Sequence, residues 1–186
     1  MKNNKHNQAI SYFQNKSWNE TSRTELLFCA ELYFLLKEKE HLQKFIEKFK
    51  LKQGDYDVSY EVSFYRDIPK IKEYAGKVKG KYPSHRAFDL ALFSENDIYI
   101  IEAKAQQGFD NKQLNDFKND EKKMREIIKE IAPKRKVDIH LWAIISSIYK
   151  PKQGTRDAFK RMITWKDIYE LYKNEIFKHA DEIYRK

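Results

Sequence analysis

Residues 86–106 read RAFDLALFSENDIYIIEAKAQ, two apolar runs separated by Ser94-Glu95-Asn96-Asp97. The runs 86–93 and 98–106 are rich in branched and aromatic side chains, which suit a pleated surface, and the four polar residues between them carry turn chemistry. An antiparallel hairpin is expected. In 98–104 both odd and even positions are apolar until Glu102 and Lys104, so this strand should be covered on both faces. Side chains alternate with period two, so Glu102 and Lys104 point one way and Ala103 the other. A carboxylate and an ammonium therefore stand side by side at the end of a core strand, where burial is costly unless they are paired or bound to a metal. Asp89 repeats the anomaly, a lone charge among Ala87, Phe88, Leu90, Ala91 and Leu92.

The short turn brings Asp89 opposite or diagonal to Glu102, within reach of a shared ion. Two hard carboxylates on adjacent strands suit Mg²⁺, with Mn²⁺ as a substitute, because Mg²⁺ prefers oxygen and keeps waters that a substrate phosphate can replace. Such an ion neutralises charge on a phosphate and acidifies water. Lys104 is then placed to orient or deprotonate that water and to stabilise the transition state.

Around this hairpin the chain reads as alternating helices and strands. A helix is expected over residues 21–49, capped by Thr21 or Ser22 with Glu25 in its first turn. Within it, 26–36 is apolar or aromatic apart from Glu31. A strand follows at 56–65, where Val58, Tyr60, Val62 and Phe64 alternate with more polar neighbours. Residues 66–86 form a basic segment with Lys70, Lys72, Lys77, Lys79 and Lys81, loosened by Gly76 and Gly80, and read as a loop or frayed hairpin. A helix is expected over 111–131 from the spacing of Leu114, Phe117, Met124, Ile127 and Ile128, ended by Pro133. A central strand is expected within 137–149 and an amphipathic helix over 164–184. The fold class is α/β, a mixed central sheet of about 4–5 strands flanked by helices.

No repeat and no Ser/Gly/Pro-rich linker divides the 186 residues, so one domain with a polar N-terminal arm over 1–20 is expected. The 37 Lys and Arg outnumber the 28 Asp and Glu, a net charge of +9 that favours polyanions such as nucleic acid. No apolar run reaches the roughly 20 residues needed to cross a bilayer, and residues 1–17 lack a secretory core. A cytoplasmic protein with no membrane partner is expected. The single cysteine, Cys29, lies in an apolar run and reads as a small core residue, which excludes a disulfide framework. The five histidines have no metal-ligand spacing, and His85, four residues before Asp89, is the one closest to the motif. The sequence holds no glycine-rich phosphate loop, G-x-S-x-G elbow or zinc cysteine pair.

Asp89, twelve intervening residues, then Glu102-Ala103-Lys104 resembles the signature of the PD-(D/E)XK, or restriction-endonuclease-like, nucleases. Phe88 stands where the family name has proline. The resemblance implies that fold and a metal-dependent endonuclease acting on nucleic acid, double-stranded DNA first, in restriction, repair or mobile-element biology. It implies Asp89 and Glu102 as metal ligands together with the backbone carbonyl of Ala103, and Lys104 as the residue that positions water. It also implies a further acidic residue on an upstream helix, for which Glu31 is the match, and a glutamine on the following helix. Gln113 matches that glutamine, with Gln106 and Gln107 as alternatives. Relatives that cut both strands commonly work as homodimers, and a partner subunit that supplies specificity is also compatible.

Lys77, Lys79, Lys81 and Arg86 are the expected phosphate contacts, since backbone-holding cations give nucleic-acid binders their salt-dependent affinity. The competing reading makes Lys134, Arg135, Lys136 and the 66–86 segment solvated surface, and Glu102 and Lys104 a weak pair on an emerging strand. It makes Asp89 a hydrogen-bonded core residue. On that reading the protein is a catalytically inactive, basic nucleic-acid-binding protein with the same fold.

Overall fold

The computed structural model describes residues 25–71, 82 and 86–184. The N-terminal arm, Thr21, Ser22, His85 and the lysines 77, 79 and 81 lie outside the described residues.

The helix expected over 21–49 is two helices, α1 (Glu25–Lys37) and α2 (Lys39–Phe49). Glu38 leaves helical backbone at φ −80° and ψ 120°, and its carbonyl starts α2 by accepting from the Leu42 N–H at 2.9 Å. The break has a packing reason. Phe28, Cys29, Leu32 and Leu36 of α1 and Phe45, Ile46 and Phe49 of α2 share one buried cluster, which a straight rod would not allow both segments to reach.

Five strands, β1 (Asp57–Val62), β2 (Phe88–Phe93), β3 (Asp97–Ala103), β4 (Asp138–Ile145) and β5 (Arg161–Thr164), form one mixed sheet in sequence order. β1, β2 and β3 run antiparallel, and β3, β4 and β5 run parallel. The expected hairpin is present, paired from Phe93↔Ile98 to Leu90↔Ile101. Its turn is closed by Ser94, which accepts the Asp97 N–H on Oγ at 3.0 Å. The parallel step from β3 to β4 is carried by α4 (Asn111–Ile131), with the bounds read from its periodicity. Between β1 and β2 the chain makes α3 (Phe64–Asp67) and a 3₁₀ turn at Ile68–Lys70, where an extended end and a loop were expected.

Beyond β4 lie α5 (Gln153–Ala158) and β5, both too short to register as periodic segments. The terminal helix expected over 164–184 is interrupted. α6 (Trp165–Tyr172) stops at Lys173, in left-handed backbone at φ 55°, and α7 (Glu175–Glu182) restarts with Asn174 capping the Ile176 N–H.

Every residue of β3 is buried, because helices cover both faces. Leu90, Leu92, Ile101, Trp142 and Ile144 face α1, α2, α6 and α7. Ile98, Ile100, Ile139, Leu141 and Ala143 face Phe117, Met124 and Ile127 of α4. Since β3 and β4 are parallel, the start of both strands lies at one end of the sheet and Glu102 and Lys104 at the other. Arg135 sits at the starting end, paired to Glu95 at 2.9 Å with both side chains exposed, so it belongs to solvated surface. There Asp97, 4% exposed, takes His140 Nε2 and Lys52 Nζ at 2.8 Å each and pins the start of β3.

The C-terminal helix is latched by a buried carboxylate. Asp181 accepts the Ser147 N–H at 2.6 Å and the Lys166 N–H at 3.2 Å, and the Ser147 hydroxyl besides. Asp181→Ala would strand two backbone donors and is expected to cost about 2–3 kcal/mol, measured as a loss of urea midpoint with unchanged m-value.

Candidate active site

Where the β2–β3 ladder ends, at Leu90↔Ile101, a side chain continues it. Asp89 Oδ2 accepts the Ala103 N–H at 2.7 Å, taking the place of a strand carbonyl. Lys104 is pinned through its backbone on the other side. Its N–H donates to Ile144 O at 2.8 Å and its carbonyl accepts from Trp165 Nε1 at 3.1 Å. The backbone of Ala103 and Lys104 is thus held by β2, β4 and α6 together, which fixes where the end of β3 lies.

Glu102 and Lys104 are 7% and 8% exposed, so they are not a surface pair. Lys104 Nζ lies 3.4 Å from Glu102 Oε1 and 5.6 Å from the centroid of the Phe109 ring. Glu102 Oε2 is buried with no hydrogen-bond partner. Burial, and next the charge of Asp89, push the Glu102 carboxyl up to about 8, against the pull of Lys104 and Arg86. Burial also raises Asp89, opposed by the Ala103 N–H and by Lys104 and reinforced by Glu25. The charge of Asp89 thus works with burial to hold the proton on Glu102.

Two carboxyls that resist ionisation together, one with an orphaned buried oxygen, fit a divalent cation, whose charge would release the proton and occupy the free lone pairs. Among the described residues no group of three or more His, Cys, Asp or Glu could hold a metal ion. A cation would therefore rest on Asp89 and Glu102, with the Ala103 carbonyl and water completing its shell, which matches the sparse protein ligation of Mg²⁺.

Glu31, the expected helix acid, is engaged elsewhere. Glu31 accepts from Asn174 Nδ2 at 2.7 Å and serves the joint between α1 and α7. The residue that acts on Asp89 is Glu25, 7% exposed and with Oε1 unpartnered. Residues 25, 28, 29, 32 and 36 form one buried stripe of α1, and Glu31 falls off it. Cys29 lies on that stripe against the site. Burial raises its thiol well above the usual range, with Asp89, Glu102 and Glu25 adding to the effect, so it is an inert core thiol.

Glu61 is a second residue that the sequence did not mark. It stands between Tyr60↔Leu90 and Val62↔Phe88, hence across from Asp89, in left-handed backbone at φ 52°. Burial and the charge of Asp89 raise its carboxyl.

Arg86 is in the wall of the site. Its guanidinium lies 4.2 Å over Phe117 and 5.2 Å over Phe88, and Nε donates to buried Asp120 at 3.0 Å. Tyr65 OH holds the other oxygen of Asp120 at 2.7 Å. Arg86 Nη2 is buried without a partner, and its charge acts on Asp89 and Glu102. Gln113 is in the first turn of α4, half-buried, with its N–H taken by the Asp110 cap at 2.8 Å.

Among the described residues no helix is long and apolar enough to cross a membrane. Comparison with family models, with curated proteins and with solved structures gives no match in any of the three.

Proposed function

We propose that this chain is a metal-dependent nuclease of the restriction-endonuclease-like type that hydrolyses phosphodiester bonds, with duplex DNA as the first substrate and the cytoplasm as its place of action. One observation carries the reading: Glu102 is buried beside Lys104 and Asp89 at the end of a core strand, with a carboxylate oxygen that nothing satisfies. Buried polar atoms normally find a partner, and an orphaned carboxylate oxygen suits a bound cation. The order of elements supports the family reading, with Asp89 on β2, Glu102 and Lys104 at the end of β3, and Glu25 on the preceding α1.

Mg²⁺ or Mn²⁺ held by Asp89, Glu102 and the Ala103 carbonyl would supply charge neutralisation at the phosphate and lower the pKa of the attacking water. The chain does the rest. Lys104 Nζ, fixed between Glu102 and the Phe109 ring, orients that water and stabilises negative charge as it develops. Arg86, clamped by Asp120 and stacked on Phe117, adds a fixed positive charge that acts on Asp89 and Glu102. Arg86 and Lys104 together offset the repulsion between two carboxylates and a phosphate.

The test is incubation with plasmid, linear duplex, single-stranded DNA and RNA, with Mg²⁺, with Mn²⁺ and with chelator. Cation-dependent cutting of duplex DNA that chelator abolishes is expected, and no cutting of any polymer with either cation would overturn the reading. A second reading, a basic nucleic-acid binder without cleavage, is favoured by the net charge of +9, which draws a polyanion whether or not it is cut. It predicts retained binding in that same assay with no product.

A further inference from the structure

Beyond the carboxyl ends of β3 and β4, a cavity of about 670 Å³ opens between the loop that leaves Lys104 and the loop that leaves β4. This is the end of the sheet at which Glu102 and Lys104 stand. Its walls include Gly108, Phe109, Asp110, Tyr149 and Tyr184, and Lys150 and Lys152 lie exposed on its rim. Tyr149 and Tyr184 stand with ring centroids 5.4 Å apart. A side chain at position 108 would collide with Tyr149, since a Cβ there would lie 2.5 Å from its ring. The glycine lets the Tyr149 ring lie directly against the backbone as a flat wall.

This cavity adjoins the candidate active site through one ring. Phe109 lines it and also lies 5.6 Å from Lys104 Nζ. Its chemistry is mixed in a particular way. Aromatic faces offer stacking, Asp110, whose Oδ1 caps the Gln113 N–H, offers its other oxygen as an acceptor that repels phosphate but suits an amino group, and the two lysines offer charge only at the rim. Those properties suit a nucleobase inside and its backbone outside.

We infer that the cavity receives one unstacked nucleobase of a strand whose phosphates run over Lys150 and Lys152 toward Lys104. The inference rests on the nuclease reading and adds to it a substrate feature, an extruded or unpaired nucleotide beside the cut. Taking a base out of the stack is a known cost that stacking on aromatic side chains offsets.

The experiment uses single-stranded oligonucleotides carrying 2-aminopurine, bound in chelator so that cleavage plays no part. The wild-type protein should quench the probe on binding, because stacking on an aromatic ring quenches it. Tyr149→Ala should lose the quench and weaken binding about 5- to 150-fold, as expected for one stacked base. Tyr149→Phe should retain both. Lys152→Ala, an exposed change that leaves the core intact, should lower the slope of log affinity against log salt by about 0.7. Quench and affinity unchanged in Tyr149→Ala, or a wild-type complex with no quench, would overturn the proposal. A quench that depends on Tyr149 in a protein that cuts nothing with Mg²⁺ would sustain the base site and overturn the nuclease. Cutting without any quench would do the reverse.

Discussion

Glu102→Gln is expected to cripple cleavage and, in the cation-free protein, to raise stability at pH 8. The two effects have one origin. Unfolded, the Glu102 carboxyl ionises near 4.5; folded, it holds its proton to about 8. Between those values the native state binds a proton that the unfolded chain has released, so stability falls as pH rises through the window. The slope for one full proton is about 1.4 kcal/mol per pH unit, and the raised Asp89 acts in the same direction. Glutamine cannot ionise, so the variant should lose most of this slope and overtake the wild type above neutrality. Its cleavage rate should drop by about 10²–10³-fold or more, the scale on which removal of one electrostatic stabiliser acts. Divalent cation should stabilise the wild type more at pH 8 than at pH 6, because proton and cation compete for the same oxygens. Denaturant midpoints at several pH values, with and without Mg²⁺, measure all of this. A wild-type stability that is flat between pH 5 and 8 would contradict the burial of an ionisable Glu102.

Lys104→Ala is expected to cut the rate by about 10²–10⁴-fold while leaving nucleic-acid affinity within a few fold. The ammonium contacts Glu102 and faces Phe109, and its backbone is held independently by Ile144 and Trp165, so the strand end should keep its place. Removing it also removes a charge that lowers the Glu102 carboxyl, so the variant should need more alkaline conditions to gain a cation. Filter binding in chelator against single-turnover cleavage in Mg²⁺ separates the two quantities. Equal losses in both would reassign Lys104 to simple phosphate holding.

The hairpin, the long helix α4 and the fully covered β3 were legible because their signals are periodic and dense. Seven consecutive buried residues in β3 leave little ambiguity about where Glu102 sits. What escaped was decided by tertiary context. Nothing local in Lys37-Glu38-Lys39 forces a helix to stop; the stop exists because two apolar faces must meet one core. Glu31 attracted attention as the lone polar residue of an apolar run, yet the 25, 28, 29, 32, 36 spacing already set Glu25, and not Glu31, on the buried side. Glu61 had no sequence signal, since a left-handed glutamate in a strand is not a propensity but an imposed conformation. Arg86 was expected among the phosphate contacts, and the structure stacks it on Phe117 and Phe88 and ties it to Asp120, thirty-four residues later, a set of contacts with no local signal.

Glu61 also shapes how the molecule meets its own kind. Among the described residues β1 and β5 are the two rims of the sheet, and an uncovered rim of unpaired amides and carbonyls invites strand addition from another chain. On β1 the left-handed turn of Glu61 breaks the regular outward row of those groups after Tyr60. β5 is only four residues long. If two copies associate, continuous sheet across the joint is the geometry this fold has made hardest to build.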